Sequence, residues 1–373
     1  MKKKMFAWMI AACMAMTAFT GCSGNSASDS GKQEQTEVPT DVNDKQEGSA
    51  AEAPAADAVK LKLSYNSPEL TRETCLETEF AQTFKDYLEE KAPGRFDVQI
   101  FPAAQLGSFS EVLSGVSDGN IETALVNIST LISNDTGLNV WQIPGSIKSN
   151  EECNAFLADE TMGKTFDTVE SAMGIDVVTS FSAGARHFTN NKKEIRVPDD
   201  MKGIVFRVME NELYVKMVES MGGIATPMSS SELYSALQNG VVDGQENPTA
   251  FSISDLTYEV QKYMVTDGHV YSISPFVVNH QWFESLPEDL KPVFLEAVEA
   301  AREAAIAFVD RQEEEGLQFL KDEGIAVYEP TEEELALWHD AVYDGTYEYI
   351  VDLIGKETVD SFIAEIENYR SSH

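Results

Sequence analysis

Two arginines and an amide carry the chemistry most readily read from this chain. Arg186 closes Gly184-Ala185-Arg186, and Arg207 lies in the run Ile204-Val205-Phe206-Arg207-Val208. Asn247 ends Asp243-Gly244-Gln245-Glu246-Asn247 before Pro248, a stretch that reads as a tight turn. A planar guanidinium presents parallel N–H groups that meet a carboxylate in two charge-assisted hydrogen bonds. The carboxamide of Asn247 offers a donor and an acceptor together. In a strand, Phe206 and Val208 point away from Arg207 and can anchor it. The three side chains can close on a carboxylate. Each also has a plainer use. Among 63 acidic residues either arginine readily finds an internal salt bridge, and an asparagine before proline is a common turn residue.

Other chemistry is sparse. Gly115-Val116-Ser117-Asp118-Gly119 fits the G-x-S-x-G nucleophile elbow, but that motif needs a strand before the serine and a helix after it. Here the apolar spacing gives the reverse order, so the segment reads as a helix end with a glycine stop. There is no H-E-x-x-H pair and no nucleophile–base set, and the cysteine spacing has no metal pattern. No catalytic residue, metal ligand or cofactor is expected.

The formal net charge is −36 over 373 residues. Such a polyanion does not bind nucleic acid through phosphates, and it repels anionic ligands at long range. Any anion site must therefore be built locally. Residues 1–21 have a basic start and then an apolar run, which reads as a secretory signal peptide. The sequence Phe19-Thr20-Gly21-Cys22 resembles a bacterial lipobox, which makes Cys22 the expected lipidation site. Residues 22–58 are rich in Ser, Gly, Gln, Glu, Asp, Pro and Ala and read as a disordered acidic tether. Cys75 and Cys153 remain, either as one disulfide or as two unpaired thiols.

The elements that must position the three side chains follow from apolar periodicity. Residues 59–65, 96–101 and 121–126 read as strands, with helices over 71–91 and 110–117 between them. This is a βαβαβ half with a parallel sheet. Further on, the spacing gives a helix over 162–173, a strand over 175–181, a strand over 204–208, and helices over 212–221 and 231–238. It gives a helix over 255–264, a strand over 270–278 and an amphipathic run over 287–321 that either breaks near Gly316 or spans two lobes. Amphipathic helices over 332–343 and 357–369 end the chain.

From about residue 59 to 286 the chain resembles the substrate-binding proteins of TRAP-type (tripartite ATP-independent periplasmic) transporters, the DctP-like family. The resemblance rests on Phe101-Pro102-Ala103-Ala104-Gln105-Leu106-Gly107, Gly184-Ala185-Arg186 and Pro198-Asp199-Asp200-Met201-Lys202-Gly203 with Phe206-Arg207-Val208. It continues in Thr226-Pro227-Met228, in Glu232-Leu233-Tyr234-Ser235-Ala236-Leu237-Gln238-Asn239-Gly240-Val241-Val242-Asp243-Gly244-Gln245-Glu246-Asn247-Pro248, and in Tyr258-Glu259-Val260-Gln261-Lys262-Tyr263.

The resemblance implies an α/β, two-lobed periplasmic-binding-protein-like fold with hinge strands and a long helix crossing both lobes. The expected boundaries are 59–182 with 274–310 for lobe 1, and 183–273 with 311–373 for lobe 2. It implies a protein that captures a small-molecule carboxylate and delivers it to the transporter's membrane subunits; with the lipobox, the expected place is exported and lipid-anchored on the outer face of the membrane, or periplasmic. Arg207 would pair with the ligand carboxylate, assisted by Arg186 and Asn247. Asn66, Asn127, Trp141 and Glu232 are further ligand-binding candidates. Where many members carry an aromatic residue in the cleft, this chain has Ser229-Ser230-Ser231. A sensor that presents its closed form to a receptor is the alternative use, and a secreted enzyme ranks last.

Overall fold

The computed structural model describes residues 57–372. The expected signal peptide, Cys22 and nearly all of the acidic tether lie outside the described residues.

Ten strands are described: β1 (Val59–Ser64), β2 (Phe96–Phe101), β3 (Thr123–Leu125), β4 (Ile175–Asn190), β5 (Val205–Val208), β6 (Ile224–Pro227), β7 (Gly244–Pro248), β8 (Tyr263–Val265), β9 (Tyr271–Asn279) and β10 (Ala326–Tyr328). They run β2-β1-β3-β9-β4-β7-β5-β6, with β8 against β4 and β10 against β8. Leu61 and Leu63 alternate with lysines, so β1 buries one face between parallel neighbours β2 and β3. The helices at Leu76–Lys91 and Phe109–Ser117 make the crossovers of the expected βαβαβ half, the second started by a capping box of Ser108 and Glu111. A second parallel set, β7-β5-β6, forms the other lobe.

The two sets share one long strand. Residues 175–185 of β4 pair antiparallel with β9, whereas 186–190 pair with β7 and 188–190 also with β8. The changeover falls at a bulge between Ser182 and Gly184, where Gly184 has φ +107°, a conformation that favours a residue without a Cβ. Val270, just before β9, packs in the second lobe's core and Ile273 in the first's, so β4 and the chain entering β9 connect the two sets. The long helix runs as Lys291–Arg311, a wider turn at Gln312–Gly316, and Leu317–Asp322. Phe294, Ala301 and Phe308 lie in the first lobe's core, while Leu317 and Leu320 pack near Met264 and Ile325. It therefore crosses from one lobe to the other, with an irregular turn beside Gly316.

The cores follow this division. Leu61, Leu63, Phe80, Phe84, Phe181 and Phe276 pack on one face of the first sheet, and Val112, Trp141, Phe156 and Phe166 on the other. The second lobe packs Phe188, Phe206, Val208, Tyr214 and Trp338 together. The last helix, Lys356–Ser372, was assigned from sequence to the second lobe. Its Val359, Phe362 and Ile366 pack with Trp141 and Phe156 instead.

Several elements differ from the sequence reading. The stretch ending in Asn247 is not a turn but the wholly buried strand β7. Its glycine marks a close approach: a Cβ on Gly244 would stand 2.2 Å from the Thr189 carbonyl oxygen. No helix covers 255–264. Leu256 takes a left-handed conformation, a short 3-10 turn follows at Thr257–Val260, and Met264 and Val265 enter β8. An apolar run that short fits strand or helix equally, and pairing between β4 and β10 decides it. The helix expected over 162–173 is three short pieces, Glu160–Gly163, Lys164–Phe166 and Asp167–Met173. Cys75 and Cys153 are buried and unpaired, and burial pushes each thiol up to about 12.

Candidate functional site

Arg207 is fixed at the carboxyl end of the parallel strand β5, where open α/β sheets collect ligands. Phe206 and Val208 on either side are fully buried in the second lobe's core and hold the backbone. The chain leaving β6 returns to this point: Met228 N–H donates to the Val208 carbonyl (3.1 Å), and Arg207 Nε donates to the Met228 carbonyl (2.8 Å). One edge of the guanidinium is thereby fixed. Among the described residues, its two terminal nitrogens have no protein acceptor and no salt-bridge partner, although the residue is only 3 % exposed. Burial pushes its pKa down to about 10, Glu246 opposes that shift and Arg186 adds to it, so the group stays charged at neutral pH.

Arg186 is as deeply buried but is already occupied. Its Nε donates to Glu246 Oε2, and Nη2 donates to Glu246 Oε1 (3.0 Å), to the Glu246 carbonyl (2.7 Å) and to Asn247 Oδ1 (2.9 Å). Nη1 donates to Ser272 Oγ (3.3 Å), which leaves one of the five guanidinium N–H groups for a ligand. Glu246 also faces His269 Nε2 (3.3 Å), and His269 Nδ1 lies 2.6 Å from Asp267. Burial opposes the imidazolium, but Asp267 and Glu246 outweigh it and push His269 up to about 9. Asp267 and Glu246 thus offset His269 and Arg186. Arg207 makes no salt bridge among the described residues, and Asp255 and Glu210 act on it only through space.

Asn247 does not hang free. Its Oδ1 accepts from Arg186 and its Nδ2 donates to Gln245 Oε1 (2.7 Å). Gln245 in turn donates to Thr189 Oγ1 (2.9 Å), so the amide is held in a chain of buried polar groups.

Arg207, Arg186 and Asn247 line one cavity of about 290 Å³, together with Asn66 and Asn127 from the first lobe. Asn127 caps the Ile128–Ile132 helix, accepting from Ser129 N–H, and donates to Ser272 Oγ (3.0 Å). Asn66 presents a buried Oδ1 without a partner among the described residues. Ser229, Ser230 and Ser231 also line the cavity, with Phe109 and Phe251 supplying apolar surface.

Two candidates fall away. Trp141 packs in the first lobe's core, stacked on Phe166 and edge-on to Phe362, and its indole N–H donates to Thr165 Oγ1 (2.8 Å). It does not line the cavity. Glu232 likewise stands outside it, on the exposed first turn of the Ser230–Gln238 helix, where it accepts from Ser229 Oγ (2.8 Å).

Three cavity acids were missed, the exposed Glu210 and two whose ionisation burial perturbs. Glu77 and Asp255 both line the cavity, and Ser67 N–H donates to Glu77 Oε2 (3.0 Å). Burial pushes Glu77 up to about 7 and Asp255 up to about 6; the Asp255 charge adds to the first shift, and Arg207 opposes the second. The available signal was position. Glu77 sits beside Leu76 and three residues before Phe80, on the face that helical spacing buries. Among the described residues no group of three or more His, Cys, Asp or Glu side chains could hold a metal ion.

The profile of DctP, the bacterial extracellular solute-binding protein family 7, matches residues 69–350. The chain belongs to this family. A solute-binding protein of Verminephrobacter eiseniae is 31 % identical over 245 residues, covering 66 % of this chain and 73 % of that one. The C4-dicarboxylate-binding periplasmic protein of Rhodobacter capsulatus is 28 % identical over 283 residues, covering 75 % of this chain and 84 % of that one. A TRAP periplasmic solute-binding protein from a Polaromonas species, solved bound to D-erythronate, superposes with a TM-score of 0.75 at 28 % identity. It covers 82 % of this chain and 98 % of its own. In this chain β4 runs through both lobes and the cavity is lined from both. The family is one of solute-binding proteins, and among the described residues no helix is long and apolar enough to cross a membrane.

Proposed function

We propose that this protein captures an organic acid outside the cytoplasm, by its carboxylate, in the cavity between the lobes, and hands it to the membrane subunits of a TRAP-type transporter. The observation that carries this reading is Arg207: a buried, charged guanidinium facing a cavity, with two nitrogens that have no partner among the described residues. A buried charge without a counter-ion costs several kcal/mol, and a ligand carboxylate supplies the missing partner in bidentate geometry. Arg186, held by Glu246, and Asn247, held by Arg186, form the floor against which that carboxylate is oriented. The relatives named above, one a C4-dicarboxylate binder and one solved with D-erythronate, support an acid as the cargo.

Closure about β4 and β9 would bring first-lobe groups onto the bound acid, and the membrane subunits would read the closed form. Cys22 in its lipobox context would hold the protein at the outer face of the membrane through the acidic tether. Mass spectrometry of small molecules released from the purified protein tests the capture: an organic acid is expected, and a neutral or cationic ligand would contradict it. Lipid labelling that is lost in Cys22→Ser tests the anchor, and labelling that survives the substitution would contradict it.

A further inference from the structure

Once Arg207 is set aside, the charge lining the cavity is acidic. Glu77, Glu210 and Asp255 all line it, and the other lining cation, Arg186, is already paired with Glu246. Glu77 already accepts from Ser67 and from the Asn66 backbone, and it keeps its carboxylate in the lining. Asn66 adds a buried carbonyl oxygen with no donor. Among the described residues the lining therefore offers one cation without a salt bridge, three acidic side chains and one unfilled acceptor, Asn66 Oδ1.

We infer that the ligand is a polyhydroxylated monocarboxylate of the sugar-acid class, its single carboxylate on Arg207 and its hydroxyl groups donating to Glu77, Asp255 and Asn66 Oδ1. This rests on the carboxylate-capture reading and narrows it. A second carboxylate on the ligand would find no free guanidinium and would lie against acids, where like charges in a cavity of low dielectric repel. A dicarboxylate also brings no donor for Asn66 Oδ1, and a buried acceptor left unpaired costs about 1–3 kcal/mol. Hydroxyl groups supply those donors without a charge. An ammonium would also be accepted by carboxylates, and 4-aminobutyrate is the titrant that separates it from hydroxyl donors. The serines at 229–231 extend the polar lining on the second lobe's side.

Calorimetric titration of the purified, ligand-free protein with D-gluconate, D-glucuronate, succinate and 4-aminobutyrate tests this. One of the two sugar acids is expected to bind at least about tenfold more tightly than succinate or 4-aminobutyrate, the worth of one charge-assisted hydrogen bond. Glu77→Gln and Asp255→Asn are each expected to weaken that sugar acid about tenfold while leaving succinate no weaker. Tighter binding of succinate or 4-aminobutyrate than of both sugar acids overturns the inference, as does an unchanged sugar-acid affinity in folded variants. If either variant fails to fold, the wild-type ranking decides. Tight succinate binding that is lost in Arg207→Ala would sink the sugar-acid inference and leave carboxylate capture standing. Binding of none of the acids would overturn both.

Discussion

Arg186 and Arg207 flank the same strand, β7, and among the described residues Arg186 has a carboxylate salt-bridge partner and Arg207 has none. Arg186 on β4 lies opposite Pro248, and Arg207 on β5 lies opposite Gln245. Glu246, between those two positions, turns to Arg186. One strand therefore separates a neutralised arginine from one that keeps its charge for the cavity.

Glu246→Gln tests the neutralised half. Removing one partner of a buried ion pair leaves the other charge uncompensated, at a cost of about 3–5 kcal/mol. The variant is expected to unfold at a markedly lower temperature than the wild type in a thermal melt. An unchanged melting temperature would contradict the role given to this pair.

The bulge at Gly184 gives a second test. A side chain at φ +107° is strained, and a Cβ there would stand 3.2 Å from Pro248 Cβ. Gly184→Ala is expected to cost about 1–3 kcal/mol in chemical denaturation. A variant as stable as the wild type would show that the hinge tolerates a Cβ.

Trp141→Phe separates core from site. Losing the bond to Thr165 should cost about 1 kcal/mol of stability, and ligand affinity should stay within about twofold. A large loss of affinity with unchanged stability would return Trp141 to the ligand.

The raised carboxyl of Glu77 predicts a pH dependence with a definite sign. Its folded value of about 7 lies above the ordinary 4.5, so the folded state holds the proton more tightly. The stability this contributes is fully present below pH 4.5 and is lost as pH rises through about 7. Glu77→Gln should remove that loss. Ligand-free melts between pH 4.5 and 8 should show the variant gaining on the wild type as pH rises, and parallel profiles would refute it.

Much of this fold was legible because β1, β2, β5 and β9 carry plain alternation and the Leu76–Lys91 helix carries plain 3.6 spacing. Arg207 was legible for the same reason, as a charge between two core residues of a strand. The rest depended on distant pairing. Asp243 to Pro248 has turn-like composition, and only its place between β4 and β5 makes it a strand. Arg186 looks like Arg207 in sequence; that Glu246 neutralises it depends on the register of β4 against β7. Glu77 and Asp255 are ordinary acids in a chain full of them until the fold sets both beside one cavity.

The central claim is that Arg207 holds the ligand's carboxylate. Calorimetry with the acid that co-purifies, on wild type, Arg207→Lys and Arg207→Ala, tests it most directly. The expected result is a loss of affinity of about a hundredfold or more in Arg207→Ala, near 3 kcal/mol, with Arg207→Lys between it and the wild type. Wild-type affinity in a folded Arg207→Ala would contradict the account.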